Sequence, residues 1–180
     1  MEKIQLKVVD INRISSQAEL YLMLVKEKYG ERFLPIPLGE RDAVDLMSVL
    51  HHGGRLKNPW QTFFDNIRTE FDILVDEILI DQLVDSQYQA HIRLRQYGQD
   101  VLTELPAPQA ILMALTLRCS FYITSEIMDQ QYIRSGSKGM IAMPMNILSQ
   151  KMLEDALTQA VENENYELAS QLRDEINRRK

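Results

Sequence analysis

One cysteine, Cys119, stands in the whole 180-residue chain. Without a second thiol no intrachain disulfide can form, so a reducing compartment, the cytoplasm, is the expected setting. Cys119 lies in an apolar run, where neighbours raise rather than lower a thiol's pKa, so it reads as a packing residue and not as a nucleophile. Histidine is almost as scarce, at three. His51 and His52 are adjacent and so point in different directions on a helix, and no cysteine or third histidine completes a metal set beside them. They read as a solvated helix end, where cations complement the dipole. Gly-rich phosphate loops, His–Cys metal spacings and nucleophile elbows are all missing. No apolar run approaches membrane-spanning length and MEKIQLKVVD has no apolar leader core, so no membrane partner is expected. Positive charge is also short: 20 Lys and Arg against 26 Asp and Glu leave a net charge of −6. That excludes a broad electrostatic grip on nucleic acid, which depends on cations neutralising phosphates, and leaves only weak, local binding.

What the chain does contain is a repeat. In LPAPQAILMALTLRCSFYIT, residues 105–124, Ala110, Met113, Ala114 and Leu117 share one helical face behind a Pro-x-Pro. In LPIPLGERDAVDLMSVL, Ala43, Leu46, Met47 and Leu50 repeat that pattern 67 residues earlier. The preceding turns, Tyr29-Gly30 and Tyr97-Gly98, are 68 apart.

Strands complete each copy. Ile4, Leu6 and Val8 alternate with polar residues, as in a half-buried strand. Leu20 to Val25 is continuously apolar and is expected to be covered on both faces. The chain turns through Gly30 and returns as a strand over Arg32 to Ile36, before the helix over 41–50. Asn58-Pro59 opens a second helix with an apolar stripe of Phe64, Ile67 and Phe71. The second half then reads as strands over 73–80, 88–94 and 99–104, the proline-led helix, and a strand over 121–123. His91 reads as an exposed strand residue. The expected fold is α+β: a duplicated strand-strand-strand-helix core with mostly antiparallel sheet, followed by an α-helical hairpin.

IRSGSKG, residues 133–139, is small, polar and glycine-containing, which marks a boundary. Met140, Met143 and Met145 follow, read as packing residues. The expected division is a core over 1–132, a linker over 133–146 and a hairpin over 147–180. In the hairpin Leu148, Met152, Ala156 and Ala160 share one face, and Tyr166, Ala169, Leu172 and Ile176 stripe the second helix. Two helices of this size cannot bury their stripes alone, so a partner surface is expected.

The segment ENYELASQLRDEI, 164–176, with Leu153, Ala156 and Ala160 before it, resembles the UVR motif, the helical hairpin at the ends of the UvrB and UvrC excision-repair proteins. The resemblance implies protein docking, with Leu153, Ala156, Ala160, Tyr166, Ala169, Leu172, Arg173 and Ile176 as partner-binding residues. Residues 1 to about 130 resemble the bifunctional nuclease domain, a DNase/RNase family often joined to a UVR tail. Phe33-Leu34-Pro35-Ile36 and Gly39-Glu40-Arg41-Asp42-Ala43 resemble its "LPIxIGxxEA" segment, with Asp42 at the acidic position. Asn58-Pro59 stands where "RPxTHDLL" is found, with Thr62 and Phe63 in place of His-Asp. Residues 105–124 resemble "ARPSDAIALALR" with the following strand and the acidic turn Ser125-Glu126, although its Arg, Ser and Asp are here apolar or amide residues.

Nuclease chemistry of this kind needs clustered carboxylates around Mg²⁺ or Mn²⁺. Glu40, Asp42 and Asp45 form one group, with Asp42 and Asp45 at i, i+3 where their carboxylates converge; these are the candidate catalytic residues, and Asp42 and Asp45 the candidate metal ligands. Asp76, Glu77 and Asp81 form a second group, though strand neighbours face opposite ways. The plainer account is acidic residues complementing a helix dipole in water. Two functions follow: a weak metal-dependent nuclease with a docking tail, or a non-catalytic homo-oligomeric adaptor that recruits a protein through the hairpin.

Overall fold

The structure is a computed structural model that describes residues 2–15, 20–51, 59–133, 150–162 and 164–178. Its first meander is β1 (Lys3–Ser15), β2 (Leu20–Glu27) and β3 (Phe33–Leu38), followed by helix α1 (Glu40–His51). Helix α2 (Pro59–Glu70) leads into a second meander, β4 (Leu74–Val84), β5 (Gln87–Gln96) and β6 (Gln99–Pro106), followed by helix α3 (Ala107–Leu117). The duplication is visible in the starts: Leu20 to Gln87 and Glu40 to Ala107 are each 67 residues. In both halves the helix packs on the middle strand of its own meander, α1 on β2 and α3 on β5, and the two helices pack on each other.

The join between the halves is strand β7 (Phe121–Thr124). It lies antiparallel to β1 and parallel to β4, closing one seven-stranded sheet in the order β3-β2-β1-β7-β4-β5-β6. The meanders therefore run in opposite directions. Two tight turns carry the second meander. Asp85-Ser86 and Tyr97-Gly98 each hold both central residues at positive φ, the hairpin turn whose twist matches that of the strands.

Alternation sorts the sheet faces. Met23, Val25, Leu34, Ile36, Ile78, Ile80, Ala90 and Ile92 form one core with Ala43, Leu46, Ala110 and Ala114 of the two helices. Alanine at the contact lets helix backbone approach the sheet closely, so truncated side chains here are fitted and not deficient. β2 is buried on both faces as expected, with Leu22 and Leu24 packing against Phe33 and Ile133 on the other side.

Several expectations shift. Ala43 and Leu46 are buried as expected, but in the last turn of α1 Leu50 is exposed and Val49 takes the buried position. The α2 stripe is only partly covered: Phe64 and Ile67 are half-buried, while Phe63 and Phe71 are exposed. β1 runs well past Val8, because bulges keep it paired with β2 through polar sequence. The expected acidic turn at Ser125-Glu126 is instead helix α4 (Ser125–Gln131), where the Thr124 hydroxyl accepts from Ile127 N at 3.5 Å and Met128 is buried.

The two sheet edges differ. At β3, Pro35 and Pro37 present no N–H to a further strand, and Phe33 exchanges two backbone hydrogen bonds with Ile133. β6 is exposed from Gln99 to Glu104, where Asp100 and Glu104 guard it with charge. The hairpin is α5 (Gln150–Glu162) and α6 (Tyr166–Arg178), which pack on each other through Leu153, Ala160, Ala169, Leu172 and Ile176. His52, Asn58, Met140, Met143, Met145 and Leu148 lie outside the described residues, as does the Met152 side chain.

Candidate functional site

The sequence-derived carboxylates sit on the first turns of α1. Glu40 is exposed, while Asp42 and Asp45 are half-buried. Burial pushes the Asp42 carboxyl above its ordinary range, and the neighbouring Asp45 charge pushes it the same way; Arg41 opposes both. The Asp45 charge thus acts on Asp42, its neighbour at i, i+3 on the helix. Among the described residues no three His, Cys, Asp or Glu side chains gather as metal ligands. A carboxylate pair is a donor set that suits Mg²⁺, which retains waters and is commonly held by one or two carboxylates plus substrate phosphate. The residues present fit a hydrated hard cation in that limited sense.

Asp76, Glu77 and Asp81 are not gathered into a site. Two bulges in β4, one between Val75 and Glu77 and one between Ile80 and Gln82, leave Asp76 and Asp81 as the extra residues. Each carboxylate reaches a basic side chain on β5. Asp76 lies 3.2 Å from Arg95, and both Asp81 oxygens lie 2.7 Å from His91 Nδ1. Glu77 meets Lys3 of β1 and, at 3.7 Å, Arg93 of β5. His91 is therefore half-buried and held, not the free exposed residue that strand alternation suggests. The missed signal is the bulge, which turns a side chain without changing the local pattern.

A second group was not legible in the sequence. Glu27, at the end of β2, is 7% exposed. Its carboxylate accepts from Arg32 Nε at 2.8 Å, from Arg32 Nη2 at 2.5 Å and from Arg32 N at 3.2 Å. Arg32 also donates to Asp129 of α4 and stacks 5.6 Å from the Tyr132 ring centroid. Burial alone would raise the Glu27 carboxyl; the Arg32 hydrogen bonds and charge outweigh it and hold the carboxyl low. Gly30 is required by approach: a Cβ there would stand 1.9 Å from Glu27 Oε2. Glu27, Gly30, Arg32 and Asp129, with Glu2, Lys3, Tyr29 and Ser125, line a cleft of about 360 Å³.

Elsewhere, burial pushes the half-buried Cys119 thiol up, in keeping with a packing role. The Tyr88 hydroxyl is buried with no hydrogen-bond partner among the described residues, and burial pushes it well above the ordinary phenol range. In the hairpin, Leu153, Ala160, Ala169, Leu172 and Ile176 are buried against one another, with Ala156 partly buried beside them. Tyr166 and Arg173 are exposed. No described helix is long and apolar enough to cross a membrane.

Two family models match the chain. Residues 23–136, more than half of it, match the bifunctional nuclease domain, and residues 149–180 match the UvrB/uvrC motif. A comparison with curated proteins gives no match.

Proposed function

The chain belongs to the bifunctional nuclease domain family, and from that premise we propose that it joins a weak, metal-dependent DNase/RNase core over about 1–132 to a protein-docking hairpin over 147–180. The observation that carries the catalytic part is the Asp42–Asp45 pair, where burial first and the Asp45 charge second push the Asp42 carboxyl above its ordinary range. A carboxyl perturbed by burial beside a specific charged neighbour is a functional-site candidate. Asp42 and Asp45 would hold Mg²⁺ or Mn²⁺, with Glu40 beside them at the helix start. Bound there, the ion supplies Lewis-acid polarisation of a phosphodiester and charge neutralisation. The chain's own contribution is to place both carboxylates on one rigid helix and to exclude part of their hydration.

A test follows from the sign of the Asp42 shift. A carboxyl whose folded pKa is raised opposes folding once pH exceeds its ordinary value. Asp42→Asn should therefore raise the melting temperature of the metal-free protein at neutral pH, as substitutions at strained functional sites do. Mg²⁺ should raise the melting temperature of the parent chain and leave that of Asp42→Asn unchanged. Metal-dependent cleavage of single-stranded DNA and RNA should be slow and should fall to background in Asp42→Ala from the same purification. Equal cleavage by both preparations removes the assignment.

The adaptor reading is favoured by one observation, the net charge of −6, which works against phosphate binding. On that reading the core serves as an oligomeric platform, and the exposed Tyr166 and Arg173 contact the recruited protein. Absence of cleavage by the parent chain, together with capture of a partner that Arg173→Ala loses, would favour it.

A further inference from the structure

The sheet face turned away from α1 and α3 carries an acid–base arrangement that the carboxylate pair on α1 does not use. His91 on β5 is directly paired with Glu104 on β6 and with Leu79 on β4, so all three project on this face. Directly paired strand residues have Cβ atoms about 5 Å apart, which lets one small group bridge an imidazole and a carboxylate. Arg93 lies two residues along β5, about 7 Å away on the same face. Behind His91, Asp81 holds Nδ1 at 2.7 Å from both oxygens. An ionised carboxylate only accepts, so Nδ1 carries the proton and Nε2 is left for other chemistry. A β-bulge is spent on aiming Asp81 at that ring. Glu104 is exposed, and no hydrogen bond or ion pair from a described residue holds it. Charges facing the site are Asp81, Glu104 and Glu77 against Arg93 and Lys3, with Lys3 and Arg93 sharing Glu77.

The geometry points to Glu104 and His91 as a general base and general acid for metal-independent cleavage of single-stranded RNA, with Arg93 contacting the scissile phosphate and Asp81 as the positioning residue. The polymer class rests on the nuclease reading above; the site, the metal independence and the restriction to RNA go beyond it. The step balances within the substrate. Glu104 takes the proton of the 2′-hydroxyl, the 2′ oxygen bonds to phosphorus, and the P–O5′ bond breaks. Protonated His91 gives its Nε2 proton to the departing 5′ oxygen. The products are a 2′,3′-cyclic phosphate and a 5′-hydroxyl, with no water, metal or other reactant consumed. DNA lacks the 2′-hydroxyl, so it is not a substrate for this step.

The experiment uses the full chain in excess EDTA with a single-stranded RNA, the matching DNA, and an RNA carrying one 2′-deoxy position. The expected result is slow RNA cleavage giving cyclic-phosphate ends, no DNA cleavage, and protection at the deoxy position. His91→Gln and Glu104→Gln should each lower the rate about 100-fold or more, the usual contribution of one proton-transfer group. Glu104 is exposed, so loss of activity there is not loss of fold. Asp81→Asn should lower the rate less and should also shift the His91 ring ¹⁵N resonances, a readout of tautomer that a purely structural role would leave alone. No cleavage under EDTA, 5′-phosphate products, equal cleavage of DNA, or rates unchanged in both His91→Gln and Glu104→Gln would overturn the proposal. Cleavage seen only when Mg²⁺ replaces EDTA, and equal in the parent, His91→Gln and Glu104→Gln, would overturn it while leaving the nuclease reading in place.

Discussion

Arg32→Ala should destabilise the core by about 2–3 kcal/mol, below the 3–5 kcal/mol of a fully buried broken pair because the Arg32 side chain keeps 27% of its surface in water. For a chain of this length that is a fall in melting temperature of roughly 5–10 °C. The cause is asymmetric. Removing the guanidinium leaves the Glu27 carboxylate buried with only the backbone N–H of residue 32, without its two side-chain donors, and it also releases Asp129 and the Tyr132 ring. Glu27→Ala should lose less, since Arg32 retains Asp129 and access to solvent. Gly30→Ala should act in the same direction as Arg32→Ala, because its methyl group would occupy the place of the Glu27 carboxylate.

The same pair predicts a pH dependence with a definite sign. The folded Glu27 carboxyl is held below its ordinary value of about 4.3, so its contribution is present in full above that value. It is lost as pH falls through the folded pKa. The stability gap between the parent chain and Arg32→Ala, measured by urea unfolding, should therefore narrow on acidification below about pH 4. A gap that stays constant down to pH 3 would mean that Glu27 is not what Arg32 stabilises.

Leu172→Asp should abolish the α5–α6 hairpin. Leu172 is 2% exposed in a seam built from only a few other apolar side chains. Exchanging it for a carboxylate loses about 2–3 kcal/mol of apolar burial and adds the larger penalty of an unpaired charge. A two-helix unit has no reserve to absorb that. Amides of 150–178 should lose hydrogen-exchange protection, while those of the β2, β4 and β5 core strands keep theirs. Capture of any hairpin partner should be lost with them. Arg173→Ala and Tyr166→Ala change exposed side chains, so they should weaken docking while leaving the hairpin folded. Retained capture by Leu172→Asp would place docking elsewhere on the chain.

The hairpin also shows how stripe residues divide. The sequence pattern marks Leu153, Ala160, Ala169, Leu172 and Ile176 as apolar and aligned, but it does not say against what. The two helices use these residues on each other. The surface left for a partner is set by the residues between them.

Much of the architecture follows from local pattern. Period-two alternation identifies β1 and β5, the apolar run identifies β2, and the spacing of Ala43 and Ala110 identifies the two helices and their 67-residue relation. Family resemblance also rests on such local strings, 33–43 and 164–176 above all. These features are legible because side-chain direction repeats with the backbone, so neighbours in sequence report on one another. The Asp42–Asp45 spacing belongs with them, since i, i+3 on a helix is a local geometry. What the tertiary structure alone decided are the contacts whose partners lie far apart and whose aim depends on irregular backbone. β7 enters between β1 and β4 and turns two meanders into one sheet. Arg32 reaches Asp129 across 97 positions and so ties β3 to α4. Bulges at Asp76 and Asp81 redirect carboxylates onto Arg95 and His91, and strand pairing sets Glu104 opposite His91. No periodicity records a bulge or a pairing register, because both arise from packing the whole sheet against its helices.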